Sequence, residues 1–261
     1  MEIAVAASAP FGADVLERLA QRHDVVQLLT RPDKPRGRGR HVGATPAKET
    51  ADRLGIPVAQ PARLDGDVEL AADTVVVCAY GLLIPPALLE RGLWLNVHPS
   101  LLPRWRGAAP VERALLAGDA ETGVTIHETV EALDAGPIAA QEAFPVGPED
   151  DTGAVYARAA EVAARLLDDV LAHPEFAPQP DDGVTYAEKI RPEDRVLDPS
   201  APAQESVNRV RALSPHIGAR LGDLLVWKAR VGEDGAFEPL EVQPAGGKRM
   251  PYEAYLRGKR D

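Results

Sequence analysis

Thr74-Val75-Val76-Val77-Cys78-Ala79 is the stretch that decides the fold class of this chain. A continuous apolar run of this length, ended by Tyr80-Gly81, reads as a strand buried on both faces, as in a parallel sheet. Working outward, Leu93–His98 and Gly123–Glu128 are runs of the same kind, and Ile3–Ala7 and Val25–Thr30 precede them. Helical patterns fall between. Asp14–Arg22 carries apolar residues at Val15, Leu16 and Leu19. Thr45-Pro46 opens a helix, with Thr as N-cap and Pro in the first turn, that Gly55 closes. Ala108–Ala117 and Thr152–Ala172 are further helices, the latter starting from an Asp151-Thr152 cap. Alternating strands and helices predict a Rossmann-like α/β domain with a mostly parallel sheet. After His173 the proline- and aspartate-rich stretch to Gly183 reads as a linker, and the pattern then changes to a short helix near Ala203–Leu213 and a strand at Leu224–Val231. The expected division is a first domain over residues 1–186, a linker over 187–203 and a small C-terminal unit over 204–261.

Composition narrows the class. The 261 residues are 45% hydrophobic but only 5% aromatic, so the core is built from Ala, Val, Leu and Ile. A single cysteine, Cys78, excludes an internal disulfide and any multi-thiolate metal site. No apolar run reaches the ~18–20 residues of a membrane span; the longest, Thr74–Leu89, is broken by Gly81, Pro85 and Pro86. Met1-Glu2-Ile3-Ala4-Val5 lacks a basic leader and reads as a first strand, which places the expected site of action in the cytoplasm. The net charge of −11 argues against a general polyanion-binding surface. Basic residues nonetheless concentrate between Arg31 and Lys48, where Arg31, Lys34, Arg36, Arg38, Arg40 and Lys48 face one acid, Asp33, and again in the tail from Lys248. Such islands suit local phosphate contacts.

Ligands of open α/β sheets bind beyond the carboxyl ends of the strands. The first strand-to-helix turn, Ser8-Ala9-Pro10-Phe11-Gly12, has no dinucleotide fingerprint, and Gly37-Arg38-Gly39-Arg40 has no P-loop spacing. Zinc-peptidase and serine-hydrolase motifs are also missing from the sequence. Asn96 and His98, two apart at a strand end, share one face. An amide and an imidazole so placed can hold an oxyanion and relay a proton, or can simply be structural. Asp134, in Leu133-Asp134-Ala135-Gly136, is either an Asx-turn residue or the carboxylate that orients His98.

Asn96-x-His98-x-Ser100-Leu101-Leu102-Pro103 together with Leu133-Asp134-Ala135-Gly136 resembles the signature of the folate-dependent formyltransferases. The stretches Ala79-Tyr80-Gly81, Arg104-Trp105-Arg106-Gly107-Ala108-Ala109-Pro110 and Gly118–Ile126, with Arg31-Pro32-Asp33-Lys34-Pro35 and Leu240-Glu241-Val242-Gln243-Pro244, are similar to the branch of that family acting on methionyl-tRNA. The resemblance implies formyl transfer from 10-formyltetrahydrofolate to the α-amine of methionyl initiator tRNA, by a monomer without a metal. It implies Asn96, His98 and Asp134 as the catalytic set. Ala79, Tyr80, Gly81, Ser100, Leu101, Leu102 and Pro103 would form the folate site. Arg31, Lys34, Arg36, Arg38 and Arg40 would contact the tRNA acceptor stem. It also implies an OB-like C-terminal domain, which here is shorter by roughly a hairpin. Nucleotide-sugar and glycinamide-ribonucleotide formyltransferases, a formyltetrahydrofolate hydrolase and a noncatalytic tRNA-binding protein are the competing readings. His41, His127, His173 and His216 receive no role.

Overall fold

In the computed structural model, which describes residues 1–36 and 41–259, the chain is organised as follows. The strands of the N-terminal half are β1 (Glu2–Ala7), β2 (Asp24–Leu29), β3 (Lys34–Arg36), β4 (His41–Gly43), β5 (Val58–Ala59), β6 (Thr74–Cys78), β7 (Leu93–His98), β8 (Arg106–Gly107), β9 (Glu121–Glu128) and β10 (Ile138–Pro145). Helices α1 (Pro10–Ala20), α2 (Pro46–Leu54), α3 (Pro86–Leu89), α4 (Pro110–Ala117) and α5 (Thr152–Ala172) fall between or after them. Then come β11 (Tyr186–Ala187), a 3₁₀ turn at Glu193–Arg195, α6 (Ala203–Leu213), β12 (Ala219–Leu221), β13 (Leu224–Val231), β14 (Phe237–Pro244), β15 (Met250–Pro251) and α7 (Tyr252–Arg257). Two compact units emerge: Met1–Arg106 with Gly123–Ala143 and Ala157–Thr185, and Gly107–Thr122 with Phe144–Tyr156 and Tyr186–Asp261.

The seven-stranded sheet has the order β10-β9-β7-β6-β1-β2-β5. Strand β1 lies inside it, parallel to β2 and β6, and Ile3–Ala7 are fully buried. Three consecutive valines in β6 are buried with them, as the apolar run requires. Ala4, Ala6, Leu29, Val75, Val77, Tyr80, Leu88 and Trp94 form one cluster, in which the Trp94 indole N–H donates to the Leu88 carbonyl at 2.8 Å. Each fully buried Val or Leu contributes about 1.5–3 kcal/mol of transfer free energy. Cys78 belongs to this interior, and burial pushes its thiol well above the ordinary range.

Local signals place most elements. The Thr45 hydroxyl accepts the Lys48 N–H at 3.1 Å as N-cap of α2, and Gly55 ends that helix at φ 71°. Helix α1 begins at Pro10 rather than Asp14, because proline in the first turn forfeits no intrahelical hydrogen bond. β3 and β4 pair as a short antiparallel hairpin inside the Pro/Gly/Arg stretch; Arg38 and Arg40 lie outside the described residues. β10 and β14 have no clean alternation and left no signal in the sequence. Beyond β7, itself parallel to β6, the sheet ceases to be parallel: β9 runs antiparallel to β7.

The C-terminal unit holds a four-stranded antiparallel sheet, β12-β13-β14-β15. Its core is Leu197, Val210, Leu213, Ala219, Leu224, Val226 and Val242. Arg249 of the basic tail stacks on the Trp227 ring at 3.5 Å and donates to the Pro215 carbonyl, so this charge is spent inside the unit. Among the described residues no helix is long and apolar enough to cross a membrane.

A methyl added at Gly12 would lie 2.4 Å from the Cys78 carbonyl oxygen and 2.8 Å from Ala7 Cβ, so α1 approaches the sheet closely only as glycine. Gly12→Ala should therefore destabilise by about 1–3 kcal/mol as overpacking. Gly55→Ala, with open space around it, should lose only the left-handed penalty of about 1 kcal/mol. At about 2–4 °C per kcal/mol in a domain of this size, calorimetry separates the two; equal losses would refute the close approach.

Candidate active site

The antiparallel register of β7 and β9 puts Asn96 opposite His127 and His98 opposite Thr125. Side chains two apart share a face, so a buried polar stripe forms across the two strands: Asn96 and His98 on one, Thr125 and His127 on the other. A loop after β9 brings Asp134 onto this stripe. Its backbone is left-handed, with φ 47°, a conformation Asp adopts more readily than most residues.

The four polar side chains interlock. Asn96 Nδ2 donates to Asp134 Oδ1 at 3.2 Å and lies 3.0 Å from His127 Nε2. His127 Nδ1 is 2.8 Å from the Glu128 carbonyl, a contact that requires the proton on Nδ1. Nε2 then accepts, and the Asn96 amide gives one N–H to His127 and one to Asp134. His98 is held in the opposite tautomer. Its Nε2 lies 2.8 Å from the Trp105 carbonyl and must donate to it, which leaves the Nδ1 lone pair facing Asp134 Oδ2 at 3.7 Å. His127 Nε2 is also 3.7 Å from Asp134 Oδ1. The side chains of His98, His127 and Asp134 are 5%, 2% and 11% exposed, so these charges interact with little solvent screening. Burial lowers the pKa of His98 from 6.5, with the Asp134 carboxylate and the Trp105 carbonyl opposing the shift and His127 adding to it. The arrangement is a neutral imidazole with one free basic nitrogen, beside a carboxylate able to stabilise its protonated form.

Ser100–Pro103 leaves β7 as a turn fixed from β9 and β10. Thr125 Oγ1 donates to the Ser100 carbonyl at 2.7 Å and accepts the Leu102 N–H at 3.1 Å. Gln141 donates to the Leu102 carbonyl and to Thr125 Oγ1 at 3.0 and 2.8 Å. Ser100 and Leu102 are buried, whereas Leu101 and Pro103 are partly exposed. At the end of β6, Ala79 (φ 47°) and Gly81 (φ 78°) are exposed left-handed residues flanking buried Tyr80, whose phenol is pushed up to about 12 by burial. The half-buried Arg31 guanidinium lies beside Gly81, where an added Cβ would come 3.5 Å from it, and Lys34 is exposed. The root of the basic hairpin is fixed by Lys48 Nζ, which donates to Asp33 at 2.8 Å and Gln60 at 2.9 Å. Gln60 in turn donates to Asp33 and to the Arg31 carbonyl.

Asn96, His98 and Asp134 are thus brought together. Two residues that receive no role from the sequence join them. His127 is part of the same stripe; its signal was the alternation Val124-Thr125-Ile126-His127, with polar side chains facing one way on a buried strand. Gln179 lies in the segment read as a linker, yet its amide donates to the carbonyls of Asp134 and Gly136, both at 2.8 Å. Nothing in its local sequence marks it.

Comparison with known proteins identifies the family of the chain. Residues 1–171 match the family model described as formyl transferase. The methionyl-tRNA formyltransferase of Xanthomonas euvesicatoria pv. vesicatoria is 44% identical, over all of this chain and 98% of its own length. That of Halorhodospira halophila is 41% identical, over 90% and 88%. The Xanthomonas alignment runs to 304 positions against 261 residues here, so this chain is the shorter by internal gaps. Among solved structures, an N-formyltransferase from Helicobacter canadensis in complex with folinic acid and dTDP-3-aminofucose superposes with a TM-score of 0.69 at 17% identity, covering 88% of this chain and 87% of that one. Methionyl-tRNA formyltransferase from Clostridium thermocellum gives 0.65 at 13% identity, covering 96% and 99%. With a matching model over residues 1–171 and relatives above 40% identity over 90% or more of its length, this chain belongs to the formyl transferase family.

Proposed function

We propose that the chain transfers a formyl group from 10-formyltetrahydrofolate to the α-amine of methionyl initiator tRNA. The observation that carries this reading is the shared carboxylate of Asp134, set against Asn96, His98 and His127 in a chain whose full-length relatives are methionyl-tRNA formyltransferases. The amine nitrogen attacks the formyl carbon, a C–N bond forms, and the carbonyl pair moves onto oxygen. Collapse breaks the bond to the folate nitrogen, which takes up the proton that the amine sheds. His98, neutral at pH 7, can receive that proton on Nδ1 and return it, and Asp134 stabilises the imidazolium in between. Asn96 supplies an N–H to the oxyanion by exchanging one of the two it holds at rest. His127 orients that amide.

Ala79–Gly81 and Ser100–Pro103, exposed or rigid at the ends of β6 and β7, suit the folate. The basic hairpin suits the acceptor stem: Lys34 is exposed on it, Arg36 lies on its first strand, and its root is braced by Asp33, Lys48 and Gln60. Arg38 and Arg40, outside the described residues, belong to the same contact set, with Arg31 at the base. We assign residues 1–186 to catalysis, 187–203 to a linker and 204–261 to an OB-like, shortened tRNA-holding domain. We further infer that the enzyme acts as a monomer in the cytoplasm.

Incubation with 10-formyltetrahydrofolate and methionyl initiator tRNA should yield formyl-methionyl-tRNA, and His98→Ala should lower the rate by about 10²–10³, the usual loss for one such group. Donor consumption without product would instead indicate a hydrolase or another acceptor. Because burial holds the His98 pKa below its ordinary value, kcat/KM expressed per unprotonated methionyl amine should hold from neutral pH down through the ordinary histidine range and fall only beneath it. A fall already centred at 6.5 would remove His98 as the base. Replacing Lys34, Arg36, Arg38 and Arg40 by Ala should shrink the slope of log KM against log salt by about 0.7–0.9 per lost phosphate contact, with kcat at saturation unchanged. An unchanged slope would exclude the hairpin from tRNA binding.

A further inference from the structure

The segment after α5 turns back along the catalytic strands. Ala177 and Ile138 exchange two backbone hydrogen bonds, at 2.9 and 2.7 Å, at the start of β10. Two residues on, the Gln179 amide nitrogen places its two hydrogens on the carbonyl oxygens of Asp134 and Gly136, both at 2.8 Å. The other end of the same amide is fixed as well: Arg106 Nε and Nη2 donate to Gln179 Oε1 at 3.1 and 2.6 Å. All four bonds determine which way the amide faces, since the guanidinium accepts nothing and the carbonyls donate nothing.

The loop so held is one that would not keep its shape unaided. Asp134 is left-handed, which costs a non-glycine residue about 1–3 kcal/mol and persists only where surroundings enforce it. On the other side, the Gly136 Cα packs so tightly that a Cβ would lie 1.8 Å from the Glu128 carbonyl. Gln179 and Arg106 line a cavity of about 440 Å³ whose remaining walls include Ala135, Pro137, Pro178 and Pro180. The clamp therefore borders a cavity, whose lining is completed by Asp181 and Val184.

We propose that Gln179, braced by Arg106, is a positioning residue for the reaction: it fixes the Asp134 backbone so that the carboxylate meets Asn96, His98 and His127. This rests on the formyl-transfer reading for its kinetic consequence, but not for its structural one. A displacement of about 1 Å in such a group costs up to ~10²-fold in rate. The role adds a contribution from a segment that carries no catalytic group of its own.

Gln179→Met keeps the side chain's length and neutrality while removing both donors. In the full-length enzyme it should lower kcat about 10–100-fold with both KM values within about twofold, the signature of lost transition-state contacts rather than lost binding. In an Asp134→Asn background the same change should cost less than about twofold, because residues acting through one another are not additive. A second readout needs no substrate. Asp134 and His127 are the titratable groups facing His98, and the carboxylate holds the His98 pKa up. Loosening Asp134 should thus move the His98 midpoint in an ¹⁵N-imidazole titration of the free protein to lower pH. An unchanged kcat with an unmoved His98 midpoint would overturn the proposal. So would a full loss from Gln179→Met in the Asp134→Asn background. If the wild-type enzyme forms no formyl-methionyl-tRNA, the substrate reading fails and the His98 titration alone decides the clamp.

Discussion

The antiparallel pairing of β9 with β7 is the constraint on which the site depends. A parallel partner at this position would reverse the strand that bears Thr125 and His127 relative to Asn96 and His98. A slip of one residue would turn His127 away from the amide it accepts. Register also sets the turn that follows β7, because Thr125, opposite His98, is the residue that satisfies the Ser100 carbonyl and the Leu102 N–H. One strand pairing therefore aligns the amide and both imidazoles and shapes the neighbouring Ser100–Pro103 turn.

Around this pairing the electrostatics follow from burial. His98 is stripped of water and so stays neutral, but its only unused nitrogen faces a carboxylate. The cost of desolvation and the stabilisation from Asp134 oppose each other, which is how a base can be kept free at neutral pH and still tolerate a transient proton. His127, with its proton drawn to the Glu128 carbonyl, cannot donate toward Asp134. Its contribution is steric and directional: it fixes which end of the Asn96 amide points into the site.

How much of this was legible varies with where the information resides. The valine run of β6, the helix caps at Thr45 and Gly55, and the Asn96/His98 spacing are written in residue types, and the structure places them where those types require. Helix α5 spans Thr152–Ala172, as its cap and periodicity imply. What stayed hidden depends on contacts distant in sequence. His127 needed the β7–β9 register, which periodicity cannot supply. Gln179 sits among prolines and aspartates whose composition signals a connector, and it acts through backbone carbonyls 43 and 45 residues earlier. The β3–β4 hairpin was masked by prolines and glycines that ordinarily terminate strands.

The acceptors that set both histidine tautomers, at residues 105 and 128, are main-chain carbonyls. So are the two oxygens that Gln179 grips. The acceptor half of the supporting layer is thus encoded in the path of the backbone, whichever residues provide the carbonyls. Such a layer can drift freely in sequence so long as the chain keeps its course. Two proteins may share the whole of it while an alignment of their side chains records almost none.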